Sequence, residues 1–223
     1  MTDRDALLPE YIRDAEKHDP QRVIAKLEPV VLERRAERLK AVIGDRLASV
    51  AVVFDAPHDP HNGAAVIRSC DAFGVQSIHV LERTERFLTA STVSRGTERW
   101  VDVHGHTTAA SVLATLREQN IELVAAEATG ELVPEDLANI PRMALVLGNE
   151  KLGVGPDLLE HCKYRVRVPM RGFVESLNVS VTCAILLAAA TRGRKGDLSE
   201  ADRIRLYARG LYFSVREPEI LLS

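Results

Sequence analysis

Three polar segments of the sequence, each following a predicted strand, carry the residues that could do chemistry. In the first, Arg68 lies six residues after Asn62 on a predicted helix, about 1.7 turns further along. Asn62 is a natural N-cap, because its side chain can accept from the free amides of the first turn. Arg68 stands among apolar and small residues, so its charge needs a partner. Either it pairs with Asp71 on the surface, or its planar set of donors binds a phosphate.

The second segment follows the apolar run 144–147 and is rich in glycine. Gly148, Gly153 and Gly155 allow the backbone to approach a ligand or another loop closely. Glu150, between them, is a hydrogen-bonding anchor, an acid or base, or an ordinary loop carboxylate. The chain contains neither a P-loop nor a Gly-x-Gly-x-x-Gly sequence. This absence argues against a dinucleotide-binding fold.

The third segment joins a strand that ends at Val168 to a helix that is almost entirely apolar or small. We predict that Ser176 and Asn178 cap this helix, and that the helix is buried all round. Its N-terminus presents free amides and the positive end of a dipole. The segment therefore indicates either plain core packing or the floor of a ligand site.

The elements that must position these segments alternate from Ser49 onward. We predict strands at 50–54, 77–81, 100–103, 121–126, 143–147 and 164–168, and helices at 63–73, 108–119, 156–161, 177–191 and 199–211. Such alternation predicts an α/β fold with a mostly parallel sheet covered on both faces. Ligands bind at the carboxyl ends of parallel strands, where all three segments lie.

The flanking regions suggest a three-part organisation. Residues 1–48 predict one or two amphipathic helices outside the main core, either a functional extension or a solvated arm with no role of its own. Residues 49–193 form the α/β domain, and 194–223 form a C-terminal helical extension.

Composition excludes several protein classes. Hydrophobic residues make up 46% and charged residues 27% of 223 residues, which is typical of globular domains. No apolar run reaches the roughly 18 residues of a membrane span, and the charged start lacks a secretory signal.

Three widely spaced cysteines indicate a reduced, cytoplasmic protein. The histidines show no zinc spacing, so we expect no metal, including at His104 and His106. The net charge of −3 does not suggest a nucleic-acid binder.

Taken in order, however, the three segments resemble the three motifs of the SpoU/TrmH group of the SPOUT superfamily, the RNA ribose 2′-O-methyltransferases. The resemblance spans roughly residues 49–193. The motifs are Asn62 through Gly74, Leu145 through Gly153, and Val168 through Val181. The segment 198–211 is similar to the C-terminal helix of the tRNA-modifying branch.

The resemblance implies a SPOUT α/β-knot, in which a parallel sheet flanked by helices ends in a C-terminal trefoil knot. It implies that the knotted loops bind S-adenosyl-L-methionine in a bent shape. It also implies a homodimer whose active site lies at the dimer interface, with no membrane association.

Site residues follow from the same resemblance. Arg68 is similar to the catalytic arginine near the target ribose and its phosphate, and Asn62 to the residue that orients it. Glu150 resembles the second-motif carboxylate, and Ser176 and Asn178 the third-motif polar pair. The donor contacts that the resemblance implies are Ala126, Leu147, Gly148, Val168, Met170 and Leu177. Because arginine is effectively always protonated, we expect Arg68 to position the phosphate and hydroxyl and to stabilise negative charge; proton removal by Arg68 itself is a further hypothesis.

The resemblance favours tRNA as the substrate, and specifically a guanosine in its D-loop. The N-terminal segment is too short for the separate RNA-binding domain that several ribosomal-RNA enzymes of the family carry. Local positive charge near both ends of the chain predicts RNA contacts at Arg34, Arg35, Arg38, Arg203, Arg205 and Arg209. The alternatives are a ribosomal-RNA 2′-O-methyltransferase and a catalytically idle RNA-binding protein of the same fold.

Overall fold

The structure is a computed structural model that describes residues 10–83, 96–149 and 151–223. The described chain forms two compact units. The first lies within Ala48–Arg194, and the second combines the described parts of Leu8–Leu47 with Lys195–Ser223. The two terminal segments, which the sequence suggested as separate extensions, thus form one helical unit.

The first unit is built on a six-stranded sheet. Its strands are β1 (Leu47–Asp55), β2 (Val75–Leu81), β3 (Asp102–His106), β4 (Glu122–Ala126), β5 (Met143–Leu147) and β6 (Tyr164–Val166), in the order β3-β2-β1-β5-β4-β6. The registers described are all parallel; Val50 of β1 pairs with Met143, and Glu122 of β4 pairs with the same residue. The predicted parallel α/β sheet is confirmed, whereas the knot stays a prediction.

The described helices are α1 (Glu10–Glu16), α2 (Pro20–Leu27), α3 (Glu33–Gly44), α4 (Pro60–Ala72), α5 (Ala109–Glu118), α6 (Pro156–Leu159), α7 (Val179–Ala190), α8 (Glu200–Tyr212) and α9 (Pro218–Leu222). Short 3₁₀ turns occupy Glu28–Val30, Thr97–Arg99 and Pro134–Asn139. None of these helices combines the length and the apolar character that a membrane span requires.

Several predicted strand boundaries were wrong. β1 and β2 begin earlier than the predicted residues 50 and 77, at Leu47 and Val75. The strand predicted at 100–103 begins only at Asp102, because a 3₁₀ turn occupies Thr97–Arg99. The strand predicted to end at Val168 ends at Val166 instead. Residues 167–178 are therefore loop, and this loop forms part of the candidate site described below.

The start of α4 also differs from the prediction. Asp59 is the N-cap: its carboxylate accepts from the His61 amide at 2.8 Å, and Pro60 occupies the first helical turn. Aspartate followed by proline is a strong start signal, so the helix begins before Asn62. Asn62 is therefore buried within the first turns of α4 and does not cap it. The helix ends as predicted, with Gly74 in the left-handed region at φ 72°.

Helix α7 is buried on one face only. Cys183, Leu186 and Leu187 are fully buried, whereas Val181 is 46% and Ile185 36% exposed. The prediction of a helix buried all round was therefore wrong: α7 packs against α4, the 3₁₀ turn Pro134–Asn139 and β5, and among the residues that the structure describes no element covers its opposite face. An apolar stripe thus remains on the surface of this unit.

The helical unit is held together by close helix packing and by ion pairs. Helix α8 packs against α1, α2 and α3, and a Cβ on Gly210 would lie only 2.9 Å from the Leu39 side chain. The Glu16 carboxylate accepts from Arg205 at 2.8 Å and from Arg209 at 2.5 Å. These contacts join α1 to α8.

Candidate functional site

A cavity of about 450 Å³ opens where β4, β5 and β6 end. This volume lies in the usual range for small-ligand sites, and the carboxyl edge of a parallel sheet is where such sites form. The six residues that the sequence resemblance assigned to the methyl donor all line it: Ala126, Leu147, Gly148, Val168, Met170 and Leu177. Ser176 and Asn178 line the same cavity. Residues from three separate loops thus meet in one place.

Asn178 connects the cavity to α4. As the N-cap of α7 its Oδ1 accepts from the Ser180 amide at 2.8 Å, and its Nδ2 donates to Asn62 Oδ1 at 3.0 Å. Asn62, Ser176 and Asn178 therefore lie together. Ser176 is exposed at the cavity wall and, contrary to the prediction, does not cap the helix.

Arg68 lies on the surface of α4, away from these residues. A separation of six positions turns the helix by about 240°, so Arg68 cannot share the buried face that carries Asn62. Arg68 is exposed, and within the described ranges it forms no ion pair. The pair with Asp71, which the sequence left open, is therefore not formed. Arg68 does not line the cavity of its own chain.

The glycine-rich segment after β5 forms a tight loop on the cavity wall. Asn149 and Gly153 exchange two backbone hydrogen bonds, each of 2.9 Å. A Cβ on Gly148 would lie 2.1 Å from the Gly153 carbonyl carbon, so only glycine fits there. The glycines serve the close approach of one backbone to another, as the sequence suggested. Glu150, the residue singled out in this loop, lies outside the described residues.

An ion-pair cluster beside this loop was missed by the sequence analysis. Asp55, at the end of β1, has a side chain only 2% exposed. Its carboxylate accepts from Arg83 Nε at 2.6 Å and from the Gly155 amide at 2.7 Å. Arg83 also donates to Asp157, and this contact lowers the pKa of the Asp157 carboxyl. The available signal was a carboxylate ending a buried strand, which requires a partner.

A second cavity of about 330 Å³ adjoins this cluster on the other side of the 148–155 loop. Asn149 and Gly153 contribute to both cavities, so the loop separates them. The second cavity is also lined by the polar side chains of Asp55, His58 and Arg83 and by apolar residues that include Leu152 and Pro156.

Histidines cluster at β2 and β3 without forming a metal centre. His79 Nδ1 lies 3.0 Å from His106 Nε2, and the His79 ring stacks on His104. Burial lowers the pKa of His79 well below its usual value. No group of three or more potential metal ligands was found among the described residues.

The predicted RNA-contacting arginines lie in the helical unit and differ in exposure. Arg34, Arg38 and Arg203 are exposed, whereas Arg35 and Arg205 are half-buried. Arg35 donates to Ser214 at 3.1 Å, and Arg205 pairs with Glu16. Arg209 is only 1% exposed and is bound to Glu16, so its proposed contact with RNA is withdrawn.

Comparison with known proteins gives a consistent result. The sequence profile described as the SpoU rRNA Methylase family matches residues 49–188. The chain is 31% identical over 188 residues to the tRNA (guanosine(18)-2′-O)-methyltransferase of Escherichia coli, covering 80% of this chain and 82% of that protein. The Thermus thermophilus enzyme of the same name is also 31% identical, over 179 residues that cover 77% and 90% of the two chains.

Solved structures agree. The Aquifex aeolicus TrmH/SpoU tRNA modifying enzyme superposes with a TM-score of 0.72 at 28% identity, covering 83% of this chain and 98% of that one. The SpoU methyltransferase AviRb from Streptomyces viridochromogenes, in complex with the cofactor AdoMet, superposes with a TM-score of 0.59 at 26% identity, covering 67% and 58%.

Proposed function

The chain belongs to the SpoU rRNA Methylase family, and on that premise we propose that it transfers a methyl group from S-adenosylmethionine to a ribose 2′-hydroxyl in tRNA. The relatives named tRNA (guanosine(18)-2′-O)-methyltransferases support guanosine 18 of the D-loop as the target. We further propose that the enzyme acts in the cytoplasm and has a trefoil knot in the loops around the cavity.

The observation that carries this proposal is the convergence of the donor residues. Ala126 and Leu147, at the ends of β4 and β5, and Val168, Met170 and Leu177, from the loop 167–178, line one cavity at the sheet edge. Their apolar surfaces suit the adenosine and thioether parts of the donor. Two carboxylates of the same lining, Glu127 and Glu175, suit its ammonium and hydroxyl groups. The residues present therefore fit S-adenosylmethionine, which when bound supplies a methyl group on a positively charged sulfur.

Around that cavity the chain's own groups orient the acceptor. A ribose 2′-hydroxyl is a weak nucleophile and must lose its proton as it attacks. Asn178 and Asn62, joined by a 3.0 Å hydrogen bond, form a fixed polar pair at the cavity. We assign to Arg68 the binding of the substrate phosphate and the stabilisation of charge that develops on the 2′-oxygen.

We propose that the active site is completed by a second copy of the chain. Arg68 does not line its own chain's cavity, as an active site shared between two copies requires. The exposed face of α7, with Val181 and Ile185, offers an apolar surface suited to a symmetric interface. Phe173 and Val174, on the cavity loop, are further exposed apolar side chains.

Light scattering tests the dimer. The wild-type chain should have twice its 24.6 kDa mass at micromolar concentration. A charge placed on the apolar stripe, Ile185→Glu, should yield a monomer with no methyl transfer but with an intact far-ultraviolet circular dichroism spectrum. Glu122→Gln, at an exposed ion pair, is the matched control and should remain dimeric. A wild-type monomer with full activity would contradict this part of the proposal.

Transfer of labelled methyl from S-adenosylmethionine to bulk tRNA tests the activity itself. We expect label in tRNA, located at a guanosine by mapping of 2′-O-methyl groups, and none in ribosomal RNA. Label in ribosomal RNA alone would show that the substrate is ribosomal RNA and not tRNA. Tight tRNA binding without transfer would identify an idle RNA-binding protein.

A further inference from the structure

We propose that Asp55, Arg83 and Asp157 form a positioning clamp that holds the 148–155 loop against the end of β1 and thereby fixes one wall of the methyl-donor cavity. The inference rests on the proposed function, since it takes the cavity lined by Ala126 and Leu147 to be the donor site. None of the three clamp residues lines that cavity, so they would act through the loop.

The first attachment is ionic and buried. The Asp55 carboxylate accepts two hydrogen bonds from Arg83, at 2.6 and 3.0 Å, and one of 2.7 Å from the Gly155 amide. Arg83 also reaches Asp157, in the short helix just after the loop, at 2.6 and 3.0 Å. Bidentate contacts between arginine and carboxylate fix geometry as well as charge. The end of β1 is thus bonded directly to Gly155 and, through Arg83, to Asp157.

The second attachment lies at the start of the same loop. Asn149 Nδ2 donates to the Ala56 carbonyl at 2.7 Å, while Asn149 Oδ1 accepts from the Lys151 amide at 2.9 Å. Ala56 has a φ of 48°, a left-handed conformation that is unfavourable for alanine. Its amide is held by the Leu81 carbonyl at 2.9 Å, which keeps this turn in place. The loop is therefore attached at both ends to residues 55 and 56.

Position of the loop matters because it belongs to the donor cavity. Gly148, Asn149 and Gly153 line that cavity, and the sequence places Glu150 between them. The opposite charges in the clamp stabilise each other. The Asp157 and Asp55 carboxylates raise the pKa of Arg83, and Arg83 lowers the pKa of the Asp157 carboxyl. A displacement of the wall by a fraction of an ångström would weaken donor contacts without removing any of them.

Two independent variants release the clamp. Arg83→Gln removes the bridging cation. Gly155→Ala keeps every charge but introduces a Cβ only 2.2 Å from Arg83 Nη2 and 2.8 Å from Asp157 Oδ1, so the contacts of the clamp must shift. Alanine can adopt the backbone of residue 155, where φ is −61°, so no backbone strain confuses the result. Gly44→Ala, where a Cβ meets nothing within 4 Å, and Glu122→Gln are the matched controls.

The readouts separate positioning from folding. Calorimetry with S-adenosylhomocysteine should show about tenfold weaker binding for both clamp variants and no change for either control. In methyl transfer assays the KM of both clamp variants for the donor should also rise about tenfold. Their kcat at saturating donor should equal that of the wild type. Affinity for tRNA should be unchanged. Asp157→Asn leaves the Asp55–Arg83 contact intact and should have an intermediate effect.

Each failure has a distinct meaning. If the wild-type protein does not bind S-adenosylhomocysteine, the proposed function and the clamp fall together. If the wild type binds it and Arg83→Gln and Gly155→Ala bind equally well, only the clamp is overturned. A purely structural role, which would also overturn it, predicts a lower melting temperature with kcat reduced even at saturating donor. Asp55→Asn, which keeps the side-chain shape, replaces Arg83→Gln if that variant does not fold.

Discussion

Arg68 of the sheet unit and Arg209 of the helical unit lie in opposite environments. In the sheet unit, Arg68 is exposed on α4 and has no ion pair within the described ranges. In the helical unit, Arg209 is buried and Arg205 half-buried, and both bind Glu16. A cation that binds a substrate phosphate must be accessible, whereas a buried cation needs a permanent partner. The number of arginines in a segment therefore does not measure the charge available to RNA.

The largest expected effect tests the first half of this comparison. Arg68→Ala should reduce methyl transfer at least 10²-fold, the usual scale for a positioned catalytic group. Donor affinity should stay within about twofold, because Arg68 does not line the donor cavity. Single-turnover assays with tRNA, together with calorimetry of S-adenosylhomocysteine, measure both quantities. Arg117→Ala, an exposed arginine on α5 with no assigned role, is the control. A near wild-type rate for Arg68→Ala would remove Arg68 from the mechanism.

Local patterns predicted the parallel sheet: the apolar runs of β1 and β5 indicated strands, and the strand ends indicated where a ligand could bind. The donor residues, in contrast, were expected from the family resemblance. Long-range charge pairing could not be predicted in this way. Glu16 and Arg209 are 193 residues apart, and Arg83 lies 28 residues from Asp55. Only the folded chain shows which charges neutralise each other.

The role of Asn62 shows a second limit. Its type suits an N-cap, but Asp59 and Pro60 provide an earlier and stronger start for α4. Asn62 instead bonds to Asn178 across the helix pair. The site role of Asn62 therefore stays a prediction, and its hydrogen-bond partner could be identified only from the tertiary structure.

The second prediction tests the buried half of the comparison. Glu16→Gln leaves Arg209 buried beside a neutral amide, and it should lower the free energy of unfolding by about 3 kcal/mol. Thermal and urea denaturation at neutral pH measure the change. The exposed pair of Lys163 and Glu122 is the control, and Glu122→Gln should cost less than about 1 kcal/mol. Equal effects of the two substitutions would show that burial of Arg209 does not matter.

The third prediction asks whether the exposed arginines of the helical unit bind RNA. Replacing Arg34, Arg38 and Arg203 with alanine should weaken tRNA binding about tenfold or more. The log–log dependence of affinity on salt should become shallower by about 2 to 3, since each phosphate contact contributes about 0.9 on a duplex. Filter binding at several salt concentrations gives both values. Stability should be unaffected, in contrast to Glu16→Gln. An unchanged slope would mean that this surface does not contact the phosphates.

The smallest expected effect concerns a buried group that is kept neutral rather than paired. His79 is 1% exposed and lies against His104 and His106, and burial lowers its pKa well below 6.5. The unfolded chain therefore binds the proton first as pH falls. The stability that neutral His79 contributes is fully present above pH 6.5 and should be lost as the pH falls from 6.5 to the pKa of His79 in the folded chain. For one group the free energy of unfolding should fall by no more than about 1.4 kcal/mol per pH unit. Urea denaturation between pH 5 and 8 should show this decline. His79→Phe should flatten it, whereas Gly44→Ala, which changes no titratable group, should not. An identical acid slope for wild type and His79→Phe would show that another group controls stability in this range.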